Sequence, residues 1–186
     1  MQIEPNLVLI GFMGSGKTTI GRRCAHRMGF QFRDSDSVIE LRYKLTIPEI
    51  FEQYGEAQFR SWESEVIHDL SRCSKMVIAT GGGAVLDTNN VARLKRSGIL
   101  LLLKSDPEEI LARCALRNNR PLLAMADDPL ERIQTLMSTR NPLYESAADI
   151  IVDTTGSMRD ETVSKVLTEY NNYISEWRQR SFPMRK

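Results

Sequence analysis

The stretch Asn6 to Ile10, NLVLI, is continuously apolar after its first residue and breaks at once into GFMGSGKTT, residues 11 to 19. Gly11, Gly16, Lys17 and Thr18 satisfy the spacing G-x-x-x-x-G-K-[ST], with a strand-like run before it and a helix-like run after it. Few sequence features restrict a fold more. The apolar run has to lie inside a sheet, and the glycines have to turn the chain sharply into a helix. In such a turn successive backbone N–H groups point inward, and the helix start adds partial positive charge, so the loop receives phosphate oxygens. Lysine at the seventh position of the motif reaches the β and γ phosphates, and the next hydroxyl is suited to Mg²⁺. The strand-loop-helix unit therefore predicts nucleotide binding through Lys17 and Thr18.

The rest of the chain repeats the alternation. Strands are expected at Asn6 to Ile10, Gln31 to Arg33, Met76 to Thr80, Ile99 to Lys104 and Asp149 to Val152, with helices between them. The first helix spans Lys17 to Met28; others are opened by Thr46 with Pro48 and Glu49, and by Asp106 with Pro107. Strands made almost wholly of Leu, Ile and Val, such as the fourth, are covered on both faces. This predicts an α/β fold of three layers, with a five-stranded parallel sheet flanked by helices. With 186 residues, five strands and their crossovers leave no room for a second domain, so residues 1–178 are expected to form one domain and 179–186 a frayed basic tail. Residues 116–129, LRNNRPLLAMADDP with its final Asp128 and Pro129, lack clear periodicity, and a lid over the sheet is expected at about 114–127.

Composition narrows the function by exclusion. Lys plus Arg number 25 and Asp plus Glu 24, so the chain lacks the basic surplus of a nucleic-acid binder. No apolar run approaches membrane-spanning length. The N-terminus has neither a basic segment nor a cleavage site, so the first residues are read as the start of the mature fold and the expected location is the cytoplasm. Cys24, Cys73 and Cys114 are too few and too far apart for a disulfide framework or a zinc site, and are expected to be buried small hydrophobes. His26 and His68 have no catalytic-looking neighbours, and no G-x-S-x-G or Cys/His pattern supports covalent hydrolysis.

The second acid expected at the end of another buried strand is missing. The third strand ends instead in TGGG, Thr80 to Gly83, and the candidate acids are Asp34 and Asp36 of DSD, after the second strand. Two carboxylates at i, i+2 on a strand-to-helix turn can divide the work. One meets Mg²⁺ directly or through water, while the other accepts a hydrogen bond from an acceptor hydroxyl; either could instead cap the next helix. The glycine triplet offers backbone to something that approaches closely. Three arginines are suited to anions: Arg60 in FRSWE with Glu63 three residues on, Arg140 in TRNPLY where Asn141 and Pro142 are expected to interrupt the helix, and Arg120 in NRPLL within the lid. Together these residues describe a phosphotransferase for a small hydroxylated, anionic acceptor. Other small-molecule kinases, such as a gluconate-type enzyme, and a non-catalytic nucleotide sensor are the competing readings.

In their order and spacing, GFMGSGKTTIGR, DSD, FRSWE, TGGG, RPLL and RNPLY resemble the shikimate kinase family from about Leu7 to Thr154. The resemblance implies ATP- and Mg²⁺-dependent phosphorylation of the shikimate 3-hydroxyl in aromatic amino-acid biosynthesis, by a monomer with a nucleoside monophosphate kinase-like fold and a closing lid. It implies that Gly14, Ser15, Gly16, Lys17, Thr18 and Thr19 cradle the phosphates. Thr18 would ligate the metal and Asp34 would join it through water, while Asp36 would hold the acceptor hydroxyls as the candidate base. Arg60 and Arg140, with the backbone of Gly81, Gly82 and Gly83, would grip the shikimate carboxylate. Lys17, Asp36 and Arg120 would carry catalysis, with Arg120 bridging ATP and the transferring group, and Arg113 would stack on adenine. The sequence departs from the family after the fifth strand, where Gly156 and Ser157 replace a long polar side chain, leaving adenine contacts to backbone or to Arg159.

Overall fold

The computed structural model describes residues 4–115 and 128–181. Five strands, β1 (Asn6–Ile10), β2 (Gln31–Asp34), β3 (Met76–Ala79), β4 (Gly98–Lys104) and β5 (Ile150–Asp153), form one sheet in the order β2-β3-β1-β4-β5. Every pairing is parallel. The helices are α1 (Lys17–Met28), α2 (Ser35–Tyr43), α3 (Ile47–Leu70), α4 (Thr88–Ser97), α5 (Pro107–Ala115), α6 (Pro129–Ala147) and α7 (Arg159–Ser181).

Alternation along β1 explains the three layers. Val8 and Ile10 face a core shared with Ile39 of α2, Phe59 and Val66 of α3, Leu94 of α4, Ile110 of α5 and Ile133 of α6. Leu7 and Leu9 face the other core, made with Ile20 and Cys24 of α1 and Val163, Val166 and Tyr170 of α7. Each fully buried aliphatic side chain contributes about 1.5–3 kcal/mol, and β1 is buried along its whole length. A strand covered on both faces has no polar face to offer, which is why its sequence does not alternate.

The expected strands are all present, with ends shifted by a residue. The expected cap at Thr46 forms: Thr46 and Glu49 make a reciprocal capping box at the start of α3. Gly55, at φ 78° and ψ 171°, kinks α3, and the part beyond it carries Arg60 and Glu63.

Three expectations are corrected. The helix is not interrupted at Asn141 and Pro142; α6 runs on to Ala147 with Pro142 inside it. Proline there removes the N–H that would serve the Ser138 carbonyl, at a cost of about 3 kcal/mol. Ile133 and Met137 before it, and Tyr144 and Ala147 after it, are buried, and that packing outweighs the loss. Cys73 is exposed, unlike Cys24 and Cys114, because it lies in the turn between α3 and β3. Finally, α5 reaches Ala115 and α7 reaches Ser181, so the first residues assigned to the lid and to the tail are helical. Residues 116–127, with Arg120, and 182–186 lie outside the described residues.

Strand order places the site. Because β3 lies between β2 and β1, with Asp34 paired to Ala79 and Ala79 to Leu9, the ends of these three strands form one row. DSD, TGGG and the glycine loop leave that row side by side, at the carboxyl edge where ligands bind in open α/β sheets.

Candidate active site

The donor half is the loop between β1 and α1. Gly14 and Gly16 sit at φ 77° and 95°, a region that L side chains enter at a cost, so glycine is required for the turn. Gly16 caps α1 with no side-chain bond, and the first turn of α1 holds no acid. The first N–H groups of the helix are therefore presented to an anion. Lys17 is 9% exposed, and its Nζ donates to the carbonyls of Gly11 at 2.7 Å and Phe12 at 2.8 Å. The ammonium is thus held on the rim of the loop. Behind it, a Cβ on Gly14 would lie 2.8 Å from Cys114 Sγ, so the loop packs directly on α5.

Thr18 Oγ1 donates to Asp34 Oδ2 at 2.7 Å. The other Asp34 oxygen, Oδ1, accepts from the N–H groups of Asp36 and Ser37 and caps α2. Of the two readings of this aspartate the cap is formed, on Oδ1, while Oδ2 is the oxygen that meets the Thr18 hydroxyl.

The acceptor half forms around the glycine triplet. Gly81 donates its N–H to Ser35 Oγ at 2.8 Å. A Cβ on Gly81 would stand 2.6 Å from Asp36 Oδ1 and 2.7 Å from Glu63 Oε1, so these two carboxylate oxygens converge on one point. A Cβ on Gly83 would fall on the Arg60 guanidinium. A side chain at either position would displace these charged groups. A Cβ on Gly82 would be 3.8 Å from the Gly11 carbonyl oxygen, which makes the donor and acceptor halves contiguous.

Arg60 Nη1 is paired with Glu63 Oε2 at 2.7 Å, and its Nη2 with Glu56 Oε1 at 3.0 Å. Glu63 is 1% exposed; burial raises its pKa, the Arg60 and Arg140 charges oppose the rise, and Asp87 adds to it. Its Oε1 accepts no hydrogen bond among the described residues. Arg140, half-buried on α6, stands beside Tyr144, whose hydroxyl donates to the Gly82 carbonyl. Burial pushes the Tyr144 phenol up to about 12, so it remains a donor. Tyr144 and Ser35 were missed in the sequence. Tyr144 follows Arg140 by four residues, hence shares its helical face, and Ser35 sits between the two aspartates; either spacing was a usable signal.

The remaining residues lie along α5 and the end of β5. Arg113 pairs with Glu109 at 2.6 Å and reaches Thr154 Oγ1 at 3.4 Å. Glu109 also accepts from the N–H of Gly156 at 2.9 Å and from Ser105, so it ties the short Gly156 turn to α5. Arg159 is exposed at the start of α7. The structure thus brings together Lys17, Thr18, Asp34, Asp36, Arg60, Arg140 and the glycine triplet, and sets Arg113 apart on the α5 side of the phosphate loop.

The shikimate kinase family model matches residues 13–171, the greater part of the chain. The chain belongs to the shikimate kinase family. A shikimate kinase from Thermodesulfovibrio yellowstonii is 44% identical over 89% of this chain and 94% of its own length. The solved structure of a shikimate kinase from Acinetobacter baumannii in complex with shikimate is 38% identical, covers 91% of this chain and 94% of its own, and superposes with a TM-score of 0.87. A gluconokinase from Sinorhizobium meliloti reaches a TM-score of only 0.56 at 16% identity, with 95% of this chain and 99% of its own covered, a likeness of fold alone. Of the sequence motifs that resemble the shikimate kinase family, GFMGSGKTTIGR, DSD, FRSWE, TGGG and RNPLY lie around the site, and RPLL falls outside the described residues.

Proposed function

We propose that this chain transfers the γ-phosphoryl group of ATP to the 3-hydroxyl of shikimate, and that the residues assembled above divide that task. The observation that carries the reading is the single row of strand ends, which sets an aspartate and a bare glycine floor directly beside a phosphate-binding loop, with Arg60 of α3 against Gly83 and Arg140 of α6 beside Tyr144. A planar guanidinium fork suits a carboxylate, and Arg60 and Arg140 flank the floor. Asp36, beside Gly81, accepts the hydrogen of the acceptor hydroxyl. As the new oxygen–phosphorus bond forms, the bond from the γ-phosphorus to the β,γ-bridging oxygen breaks, and the negative charge passing to ADP is met by Lys17 and the N–H groups at the start of α1. In so loose a transition state, holding the hydroxyl in line contributes more than removing its proton early.

Thr18 and Asp34 are hard oxygen donors held together, and they suit Mg²⁺. Among the described residues no cluster of three or more His, Cys, Asp or Glu forms an all-protein cage, consistent with an ion that keeps waters and phosphate oxygens as ligands. When bound, the ion neutralises charge on the β and γ phosphates. Arg113 lies where it can flank a base beyond the phosphate loop, and the roles of Arg120 and the lid rest on the sequence. The proposal extends to a monomeric single-domain enzyme of the cytoplasm without a nucleic-acid partner; among the described residues no helix is long and apolar enough to cross a membrane.

The test is ADP release by the purified protein with ATP and Mg²⁺, with shikimate, gluconate and other hydroxy acids offered in turn. Release that depends on shikimate is expected. Release with a sugar acid and none with shikimate overturns the assignment.

A further inference from the structure

We infer that Ser35 and Tyr144 are positioning residues of the acceptor site, which lock the peptide planes of the glycine triplet so that the N–H groups of Gly82 and Gly83 are presented together to the acceptor's carboxylate. The inference rests on the acceptor reading above and concerns two side chains that it does not use. Three consecutive glycines form the least constrained segment a backbone can contain, yet a binding surface made of N–H groups works only if those groups already point the right way. Something has to hold them.

Each peptide plane is held by a different partner. The plane between Thr80 and Gly81 is fixed by the Gly81 N–H bond to Ser35 Oγ, 2.8 Å, from a side chain that is fully buried. The next plane is fixed by the Gly81 carbonyl, which accepts from the Ala84 N–H at 3.2 Å. The third is fixed by the Gly82 carbonyl, which accepts from the hydroxyl of Tyr144, 1% exposed. A trans peptide directs its N–H away from its carbonyl, so the bond to Ala84 turns the Gly82 N–H away from Ala84 and the bond to Tyr144 turns the Gly83 N–H away from Tyr144. Among the described residues these two N–H groups have no acceptor. They lie on the segment whose Gly83 position abuts the Arg60 guanidinium, and Arg140 is one helical turn before Tyr144 on α6. Two N–H donors and two guanidinium forks around one space suit a single carboxylate. Ser35 comes from the DSD turn and Tyr144 from α6, so the clamp also ties the floor to the aspartate that meets the hydroxyl and to the arginine that meets the carboxylate.

The experiment compares wild type, Tyr144→Phe and Ser35→Ala, each of which deletes one hydroxyl and adds no bulk. KM is measured for shikimate and for ATP, together with the thermal midpoint, and the glycine amides are followed by NMR on protein labelled with ¹⁵N only at its eleven glycines. Removing one partner of a buried hydrogen bond predicts a rise in the KM for shikimate of about tenfold in each variant, with the KM for ATP unchanged. The Gly82 and Gly83 amide signals should move or broaden in both variants without shikimate. A shikimate KM equal to that of wild type, or a loss shared equally by ATP, overturns the clamp. Wild type that releases no ADP with shikimate sinks the functional reading instead, and the amide signals then still decide: if they are unmoved in both variants, neither side chain holds the segment.

Discussion

The Thr18 hydroxyl donates to the Asp34 carboxylate across 2.7 Å, joining the first turn of α1 to the end of β2. In the proposed function Asp34, from the end of β2, is the acid that the end of β3 lacks. Asp34→Asn isolates its metal role, because an asparagine oxygen can still cap α2 through the N–H groups of Asp36 and Ser37. The Mg²⁺ concentration for half-maximal rate should rise about tenfold or more, with shikimate binding unaltered. A magnesium titration of ADP release checks this, and an unchanged midpoint removes Asp34 from the metal's surroundings.

Asp36→Asn should lower kcat by roughly 10²–10⁴ while ATP affinity stays near that of wild type, since Asp36 Oδ1 lies against Gly81 of the acceptor floor. Single-turnover rates and nucleotide titrations separate the two quantities. Loss of ATP affinity with shikimate affinity intact contradicts the assigned role.

The two arginines should behave differently. Arg140→Ala is expected to weaken shikimate binding by roughly 2–5 kcal/mol with little effect on folding. Arg60→Ala should weaken binding as much and also destabilise the fold by about 3–5 kcal/mol, because it strands the buried Glu63 without its partner. Adding Glu63→Gln should restore most of the stability and none of the binding. Urea unfolding and calorimetric titration with shikimate are the measurements; equal unfolding midpoints for Arg60→Ala and wild type exclude the ion pair as a structural element.

Glu63 also predicts a pH dependence. Burial raises its pKa above the ordinary value of 4.5 against the opposing charges of Arg60 and Arg140, with Asp87 adding to the rise and Asp36 converging with it on Gly81. The folded state therefore holds the proton more tightly than the unfolded chain. That contribution is fully present below about pH 4.5 and is lost as pH rises through the folded-state pKa. Wild type should lose stability relative to Glu63→Gln, which cannot titrate, as urea melts are taken upward from pH 4.5. A difference independent of pH shows that Glu63 titrates alike in both states.

Much of this was legible in one dimension because the signals are local. The glycines and Lys17 act within a single turn, and the strands of β1 and β4 announce double-sided burial by unbroken apolar runs. The Arg60–Glu63 pair follows from i, i+3 spacing on one helix. What was misread depends on distant packing. Pro142 reads as a break until the buried Ile133, Met137, Tyr144 and Ala147 hold α6 on both sides of it, and Cys73 reads as apolar until its turn is seen at the surface.

By itself the sequence determined a phosphate-binding loop on a parallel α/β sheet, two acids after the second strand and a glycine triplet after the third, because turn chemistry and burial periodicity are properties of neighbouring residues. Only the tertiary structure decided that these belong to one site. Strand order placed the ends of β2, β3 and β1 in a row, bringing Asp36, Gly81 and Gly11 together from sequence separations that no local interaction spans. It also gave Ser35 and Tyr144 their places on the glycine floor, since a hydroxyl that holds a carbonyl 62 residues away leaves no periodicity in the chain.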